Sequence, residues 1–230
     1  MNSPLVTYTK LSPHTRGART RPVDRITPHC VVGQCSIEAL ANEFSGSKVK
    51  SSNYGIDMFG QVGLFVPEDQ RACTSSSSAN DNRAVTIECA SDATQPCAFK
   101  DVVYKTLISL CVDVCKRHGK TKLLWIPEKD RALAYQPADH EMLLTVHRWF
   151  AATGCPGDWL MSRMDKLAET VTQRLTPKPW YAEAMEWAAE AGLIRDGRPD
   201  DPVTRAELAT VLYRIYGPDD NKTDSGLLSD

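Results

Sequence analysis

The stretch Ala84-Val-Thr-Ile-Glu-Cys89, with the two segments that follow it at 100–118 and 122–126, decides the fold class. Residues 84–89 are rich in β-branched side chains, which is typical of a strand. Segment 100–118 repeats apolar residues at helical spacing, and Gly119 stands where a helix commonly ends. Segment 122–126 predicts another short strand. Strand, helix and strand in this order favour an α/β domain.

The flanking sequence extends this pattern on both sides. Towards the N-terminus, the expected elements are an extended arm at 1–24, a buried strand at 25–32, a helix capped by Ser36, a hairpin at 53–57 and 62–66, and a loop at 74–82. Beyond residue 158, apolar residues at helical spacing predict one further helix. The sequence therefore predicts one α/β domain over residues 1–175.

The C-terminal part has a different composition. Residues 1–175 carry 21 basic and 18 acidic residues, whereas 176–230 carry 6 and 11. Such an asymmetry indicates two modules with different surfaces, although a solvated acidic tail explains part of it. We expect a linker at 176–179, a small helical module at 180–217 and a disordered tail at 218–230.

Composition also excludes some functions. The net charge of −2 provides no basic field for nucleic acid. The N-terminus lacks the apolar segment of a signal peptide, and no apolar run is long enough to span a bilayer. The chain has eight cysteines, but without a signal peptide and at this length they do not predict a disulfide scaffold. We expect synthesis in the cytoplasm without insertion into a membrane.

The stretch His147-Arg-Trp-Phe-Ala-Ala-Thr-Gly-Cys155-Pro-Gly carries the first candidate chemistry. Zinc is bound by neutral imidazole nitrogen and thiolate sulfur, and a catalytic zinc site uses three protein ligands. His29 is a candidate third ligand, whereas the neighbouring Cys30 should point to the opposite face of its strand. Taken singly, each ligand candidate has an ordinary packing interpretation. Glu88 is the second candidate, because a carboxylate within a strand either faces solvent or serves as a general base.

Five segments together resemble the zinc-dependent N-acetylmuramoyl-L-alanine amidases, the family of phage endolysins and peptidoglycan recognition proteins. The matching segments are Ile26-Thr-Pro-His29, Ser51-Ser-Asn-Tyr54-Gly-Ile-Asp, Glu68-Asp-Gln-Arg71, Asn80-Asp-Asn-Arg-Ala-Val-Thr-Ile-Glu88 and His147 to Gly157. They occur in the order of the family and cover most of the first 175 residues. The resemblance implies a central mixed β-sheet flanked by helices.

The resemblance also implies the site residues. Zinc would be held by His29, His147 and Cys155, and Glu88 would manage the protons while activated water cleaves the bond between N-acetylmuramic acid and L-alanine. Many members have a lysine two positions before the last metal ligand, whereas this chain has Thr153. A hydroxyl stabilises an oxyanion less than an ammonium does, so a modest loss of rate is expected.

Four further residues are candidate substrate contacts. We expect Asn53, Arg71, Asn80 and Trp149 to line a groove for the glycan and the stem peptide. The alternative for Arg71 is a surface salt bridge, and the alternative for Trp149 is a core anchor.

The C-terminal module, with Trp180-Tyr-Ala-Glu-Ala-Met-Glu-Trp-Ala and Thr204-Arg-Ala-Glu207, resembles one S-layer homology motif. That resemblance implies binding of wall polymer through Arg205, although Thr204 and Glu207 also form a helix capping box. A single copy could instead dock on the amidase or form homo-oligomers.

The expected protein is an endolysin stored in the host bacterial cytoplasm until a holin releases it to the cell wall. The alternatives are a bacterial autolysin of the same chemistry and a catalytically weak or inactive recognition protein that only binds peptidoglycan.

Overall fold

The computed structural model describes residues 2–177, 179–192 and 201–216, which fall into two compact units, 1–177 and 178–230. The predicted tail at 218–230 lies outside the described residues. Among the described residues, no helix has both the length and the apolar character that crossing a membrane requires.

The first unit is built on a mixed sheet of seven strands in the order β1-β4-β3-β5-β2-β7-β6. The strands are β1 Val6–Thr9, β2 Arg25–Cys30, β3 Tyr54–Ile56, β4 Val62–Leu64, β5 Ala84–Cys89, β6 Lys122–Leu124 and β7 Glu141–Leu144. β3, β5, β2, β7 and β6 run parallel, whereas β4 is antiparallel to β3 and pairs in parallel with β1. The predicted fold class, a mixed sheet flanked by helices, is confirmed.

Six helices accompany the sheet: α1 Ile37–Glu43, α2 Ser78–Asp81, α3 Asp101–Arg117, α4 Lys129–Ala134, α5 Asp158–Met161 and α6 Met164–Leu175. α1 begins as predicted, because Ser36 Oγ accepts a hydrogen bond from the Ala39 N–H at 3.3 Å. α3 ends as predicted, with Gly119 at a φ of +67°. The helix predicted beyond residue 158 is divided into α5 and α6.

The structure corrects two expectations and adds two elements. Part of the arm at 1–24 forms edge strand β1, and part of the loop at 74–82 forms the single turn α2. The sequence pattern gave no indication of α4 or of β7, although β7 pairs with the central strand β2. Short elements carry little periodicity, which explains why they escape detection.

Two glycines let α1 approach one face of the sheet. A Cβ atom on Gly55 would lie 2.5 Å from the Phe65 ring, and one on Gly63 would lie 2.7 Å from Ile37 Cδ1. Because paired residues of parallel strands share a face, Gly55 opposite Glu88 shows that α1 covers the face that carries Glu88. α3 and α6 pack together, and their apolar residues join the main core.

A buried ion-pair cluster joins β3, the loop after β4 and the end of α3. The Glu68 side chain is 1% exposed and accepts hydrogen bonds from Arg117 at 2.6 and 2.8 Å, from the Tyr54 hydroxyl at 2.5 Å and from His118 at 2.8 Å. Burial by itself would raise the pKa of Glu68, but these hydrogen bonds lower it to about 2. Tyr54 is thus a packing residue in the sheet.

This cluster predicts a pH-dependent stability. Since the pKa of Glu68 falls from 4.5 to about 2 on folding, its ionised form contributes on the order of 3 kcal/mol above pH 4.5. That contribution is lost as the pH falls from 4.5 through 2. Glu68→Gln should lower the free energy of unfolding at pH 7 by about 3 kcal/mol, because it removes the ionised acceptor shared by Arg117, Tyr54 and His118, although Arg117 keeps its ion pair with Asp113.

Urea unfolding of both proteins between pH 7 and pH 3 measures the effect, and the difference between them should shrink as the pH falls. The exposed Glu169 provides a matched control, because Glu169→Gln should change the stability by less than about 0.5 kcal/mol at any pH. A Glu68→Gln difference that is independent of pH would contradict the assignment.

The second unit is small. It contains α7 Ala182–Glu190 and α8 Arg205–Tyr216. α8 begins with the predicted capping box, in which Glu207 N–H donates to Thr204 Oγ1 at 3.2 Å and Thr204 N–H donates to Glu207 Oε2 at 2.8 Å. α7 buries none of its residues, and Trp187 is 63% exposed.

Candidate metal centre and active site

Parallel pairing brings His29 and Glu88 together. In the register of β2 and β5, His29 lies directly opposite Glu88, so both side chains leave the same face of the sheet. His29 Nδ1 lies 3.9 Å from Glu88 Oε1. Both residues stand one position before the end of their strands, where side chains at the carboxyl edge of a parallel sheet converge.

The loops after β7 bring the other two donors to this edge. His147 begins a 3₁₀ turn, His147–Trp149, just after β7, and Cys155 precedes α5. Cys155 Sγ lies 3.3 Å from His29 Nδ1, and the rings of His29 and His147 are 5.0 Å apart between centroids. One donor atom from each of His29, His147 and Cys155 fits within 4.8 Å of the others. The three residues predicted from the sequence as ligands therefore meet.

The donor set suits a borderline-soft divalent metal. Burial lowers the pKa of His29 to about 3 and also lowers the pKa of His147, so both imidazoles are neutral and able to coordinate. Two neutral nitrogens and one sulfur are ligands that zinc accepts in tetrahedral sites.

Ser76 holds the His147 ring. Its hydroxyl lies 3.1 Å from His147 Nε2, which leaves Nδ1 of the same ring for another partner. Hydrogen bonds of this kind fix the tautomer and orientation of a metal-binding histidine. The sequence analysis missed Ser76, because nothing in a run of serines distinguishes the one that reaches a residue 71 positions away.

The carboxyl group of Glu88 lies beside the three candidate metal ligands. Its side chain is 17% exposed, and burial raises its pKa to about 8, with a further rise from Cys30 and an opposing effect of Lys50. A carboxyl group with a pKa near neutrality exchanges protons readily at physiological pH. Glu88 is thus a partly buried residue that lies beside the donors and borders the cavities around them.

Thr153 lies at the rim of the same site. Its Oγ1 accepts a hydrogen bond from the Cys155 N–H at 3.2 Å, so its own hydroxyl proton remains to be donated elsewhere. Thr153 lines a cavity of about 360 Å³ together with His29, Glu88 and Cys155. The site thus offers a hydroxyl donor in this cavity, which shares Glu88 and His147 with a larger groove of about 770 Å³.

Cys30 pairs with Cys89 in the next register position, so it leaves the face of the sheet opposite that of His29 and Glu88, as expected. At the strand end it nevertheless lines the cavity that contains His29 and Cys155, together with Cys97. Each thiol is buried, and neither position was singled out by sequence spacing.

The four predicted substrate contacts separate into two groups. Arg71 borders a groove of about 770 Å³ that also reaches Glu88 and His147. Asn53 and Asn80 are completely buried, and their amides bind the surrounding backbone and side chains, so they stabilise the fold and do not line a groove. Trp149 is 8% exposed and stacks on Trp125 at 5.2 Å, which is the core-anchor alternative.

Arg205 lies on the first turn of α8, where it is exposed. The capping box accounts for Thr204 and Glu207 by itself. The side chain of Arg205 is therefore accessible to an external anionic ligand.

The fold and this cluster of donors define an α/β domain with a candidate metal centre at the carboxyl edge of its parallel strands. A family model described as N-acetylmuramoyl-L-alanine amidase matches residues 19–158, and one described as S-layer homology domain matches 175–209. The chain therefore belongs to the N-acetylmuramoyl-L-alanine amidase family and is a peptidoglycan amidase that acts on the cell wall. Its two domains indicate binding to peptidoglycan or another wall polymer.

Solved structures agree on the fold. A mutant endolysin from Bacillus subtilis superposes with a TM-score of 0.51 at 14% identity, covering 71% of this chain and 97% of that one. The catalytic domain of XlyA gives a TM-score of 0.50 at 14% identity, with the same coverage of 71% and 97%. Among curated protein sequences, none matches the chain significantly.

Three residues around the site have strained backbones. Within the described residues, the non-glycine residues with positive φ are Val32 at 61°, Ser76 at 61° and Cys97 at 56°. Each of them borders a cavity that contains the candidate site. The left-handed conformation is unfavourable for side chains with a Cβ and especially for β-branched ones, so the surrounding structure holds these residues against a local cost.

Val32 allows this strain to be measured. Val32→Gly should raise the free energy of unfolding by about 0.5–1 kcal/mol, because glycine removes a left-handed cost of about 1–2 kcal/mol but loses more backbone entropy on folding. Thermal and urea unfolding measure the change. Val31→Gly is the matched control, because Val31 has no positive φ and the substitution should destabilise the protein. Equal destabilisation by both changes would argue against strain at Val32.

Proposed function

We propose that the chain is a zinc-dependent endolysin that cleaves the amide bond between N-acetylmuramic acid and L-alanine. The observation that carries the proposal is the convergence of one donor atom from each of His29, His147 and Cys155 within 4.8 Å, next to the carboxylate of Glu88. Family membership supplies the reaction, and the donor set supports the choice of metal.

These residues suit zinc for a further reason. His29 Nδ1 faces both Cys155 and Glu88, so one ring nitrogen of the imidazole is directed at the other members of the cluster. When bound there, zinc supplies a Lewis acid that polarises a carbonyl and makes water more acidic.

The chain's own residues then perform the proton transfers. Glu88 accepts a proton from the attacking water and returns it to the nitrogen of alanine as the amide bond breaks. One group can serve as base and then as acid because its pKa lies near the working pH. Thr153, whose oxygen accepts a hydrogen bond from the Cys155 N–H, donates a hydrogen bond from its hydroxyl to the carbonyl oxygen as negative charge develops there.

The biological setting is part of the proposal. The amidase would accumulate in the host bacterial cytoplasm and reach the wall after holin-mediated release. Residues 180–217 would hold the enzyme at the wall, with Arg205 contacting an anionic wall polymer. Oligomers formed through this module would multiply weak contacts with the wall.

Metal content tests the ligand assignment. The purified wild-type protein should contain one equivalent of zinc by emission spectroscopy, and Cys155→Ser should lose it because a hydroxyl is a far weaker zinc ligand than a thiolate. Cys73→Ser is the control, since Cys73 is a half-buried thiol outside the donor set and should retain full zinc. Circular dichroism confirms folding of each variant. Stoichiometric zinc in folded Cys155→Ser would refute the assignment.

Product analysis tests the reaction. Gram-positive cell walls treated with the enzyme should gain new alanine amino termini without new reducing sugars, and a chelator should abolish the gain. Glu88→Gln should lower the rate by about 100-fold or more, because an amide cannot exchange the proton. Glu128→Gln, an exposed glutamate at the start of α4, should leave the rate unchanged. Reducing ends alone would show that a glycan bond is cleaved instead.

A further inference from the structure

The large groove beside the active site has a strongly basic arm. The groove of about 770 Å³ is lined by Glu88 and His147 and also by Arg16, Lys50 and Arg71, the three residues that form the basic arm. Serine and threonine residues line the same groove. A groove of this size accommodates several residues of an extended peptide.

Two of the three cations have no acidic partner. Among the described residues, neither Arg16 nor Arg71 forms an ion pair, whereas Lys50 pairs with Glu43 on α1. Arg71 donates from Nη2 to the carbonyl oxygen of Arg16, which holds the two residues next to each other. The Nε–H of Arg71 is buried and has no hydrogen-bond partner. A buried donor without a partner is costly, and a ligand that accepts its hydrogen bond would remove that cost.

The carboxylates that border the groove do not neutralise these guanidinium groups. Asp81 is 6% exposed, and its oxygens accept hydrogen bonds from the Ser75 hydroxyl at 2.6 Å and from backbone N–H groups of Ser75 and Thr74. Glu88 belongs to the catalytic end. The basic arm therefore presents two unpaired guanidinium groups to whatever enters the groove.

We propose that this arm binds the free α-carboxylate of the acidic residue that follows L-alanine in the stem peptide, and that it selects acidic over amidated stem peptides. The proposal rests on the amidase function, because only a substrate held at its muramoyl–alanine bond next to Glu88 and His147 sends its peptide into this groove. A guanidinium group matches a carboxylate with two parallel hydrogen bonds, whereas a neutral carboxamide offers one acceptor and no charge.

The chemistry of the groove favours the peptide over the other parts of the wall. The glycan is largely neutral and gains little from two guanidinium groups. Wall phosphates are anionic, but they are carried on separate polymers and are not positioned by the bond undergoing cleavage. The carboxylate of the second peptide residue is the anionic group that lies nearest to the scissile amide along the covalent chain of the stem peptide.

A pair of synthetic substrates tests the proposal. N-acetylmuramoyl-L-alanyl-D-isoglutamate and its isoglutamine counterpart, both with the γ-carboxyl group capped as a methylamide, differ only in α-carboxylate against α-carboxamide. The wild-type enzyme should hydrolyse the acidic substrate with a kcat/KM about 10- to 100-fold higher, the range expected for hydrogen bonds to a charged group. Arg71→Gln should bring this ratio close to 1, and Arg16→Gln should lower it several-fold. Arg131→Gln, an exposed arginine on α4, should preserve it.

The outcomes separate this proposal from the reaction itself. If neither substrate releases alanine amino termini, the amidase assignment at this site fails. The basic arm does not recognise the carboxylate if the wild-type enzyme hydrolyses both substrates at equal rates. The same conclusion follows if the preference for the acidic substrate survives in both Arg71→Gln and Arg16→Gln. Arg16 is exposed, so Arg16→Gln should fold normally and keeps the test valid if Arg71→Gln does not.

Binding provides a readout that does not depend on turnover. In Glu88→Gln, the acidic substrate should bind more tightly than the amidated one by calorimetry, and adding Arg71→Gln should remove the difference. Glycerol phosphate serves as the probe for wall phosphates. Competition by glycerol phosphate at the same arginines, without any preference between the two substrates, would assign the arm to phosphate and overturn the proposal.

Discussion

The in-register parallel pairing of β2 with β5 is the constraint on which the rest of the site depends. It places His29 opposite Glu88 on one face of the sheet and one residue from the end of both strands. A shift of one residue would move one of the two side chains to the opposite face, so the pairing determines whether a metal ligand and a proton carrier can meet. The apolar residues of β2 and β5 pack in one core with those of α3 and α6, and this packing holds the register.

Burial of a polar side chain costs free energy unless the side chain is hydrogen-bonded, and the buried polar residues of this domain differ in how far they are hydrogen-bonded. Asn53 and Asn80 are fully hydrogen-bonded and act as internal connectors between strands and loops. Glu68 is satisfied by four hydrogen-bond donors and stabilises the sheet well away from the catalytic edge. Among the groups without such satisfaction, the Arg71 Nε–H and the strained backbones of Val32, Ser76 and Cys97 border the active-site cavities, whereas Arg25 Nε, Gln34 Oε1 and the Tyr104 hydroxyl do not line them. Unmet local preferences of this kind concentrate where a protein binds or reacts.

Much of the fold could be predicted from the sequence, because its long elements have strong patterns. The apolar stripe of α3, the cap of α1 at Ser36 and the hairpin of β3 and β4 are all local features, and the structure contains each of them. β1, α2, α4 and β7 are short and draw their stability from neighbours in space, so their own residues carry too little periodicity to indicate them. The same reason explains the errors at Asn53 and Asn80, since polarity predicts exposure only until a tertiary partner is available.

By itself, the sequence determined the class of the domain, the family and the donor types, because His29, Glu88, His147 and Cys155 stand in motifs whose spacing is a property of the chain. Only the tertiary structure decided that one donor atom from each of the three ligand candidates lies within 4.8 Å of the others, that Ser76 holds His147, and that Arg16 and Arg71 share one groove. These relations join residues tens of positions apart. Their distances follow from strand register and loop packing, which are decided by the whole hydrophobic core and not by any local run of residues.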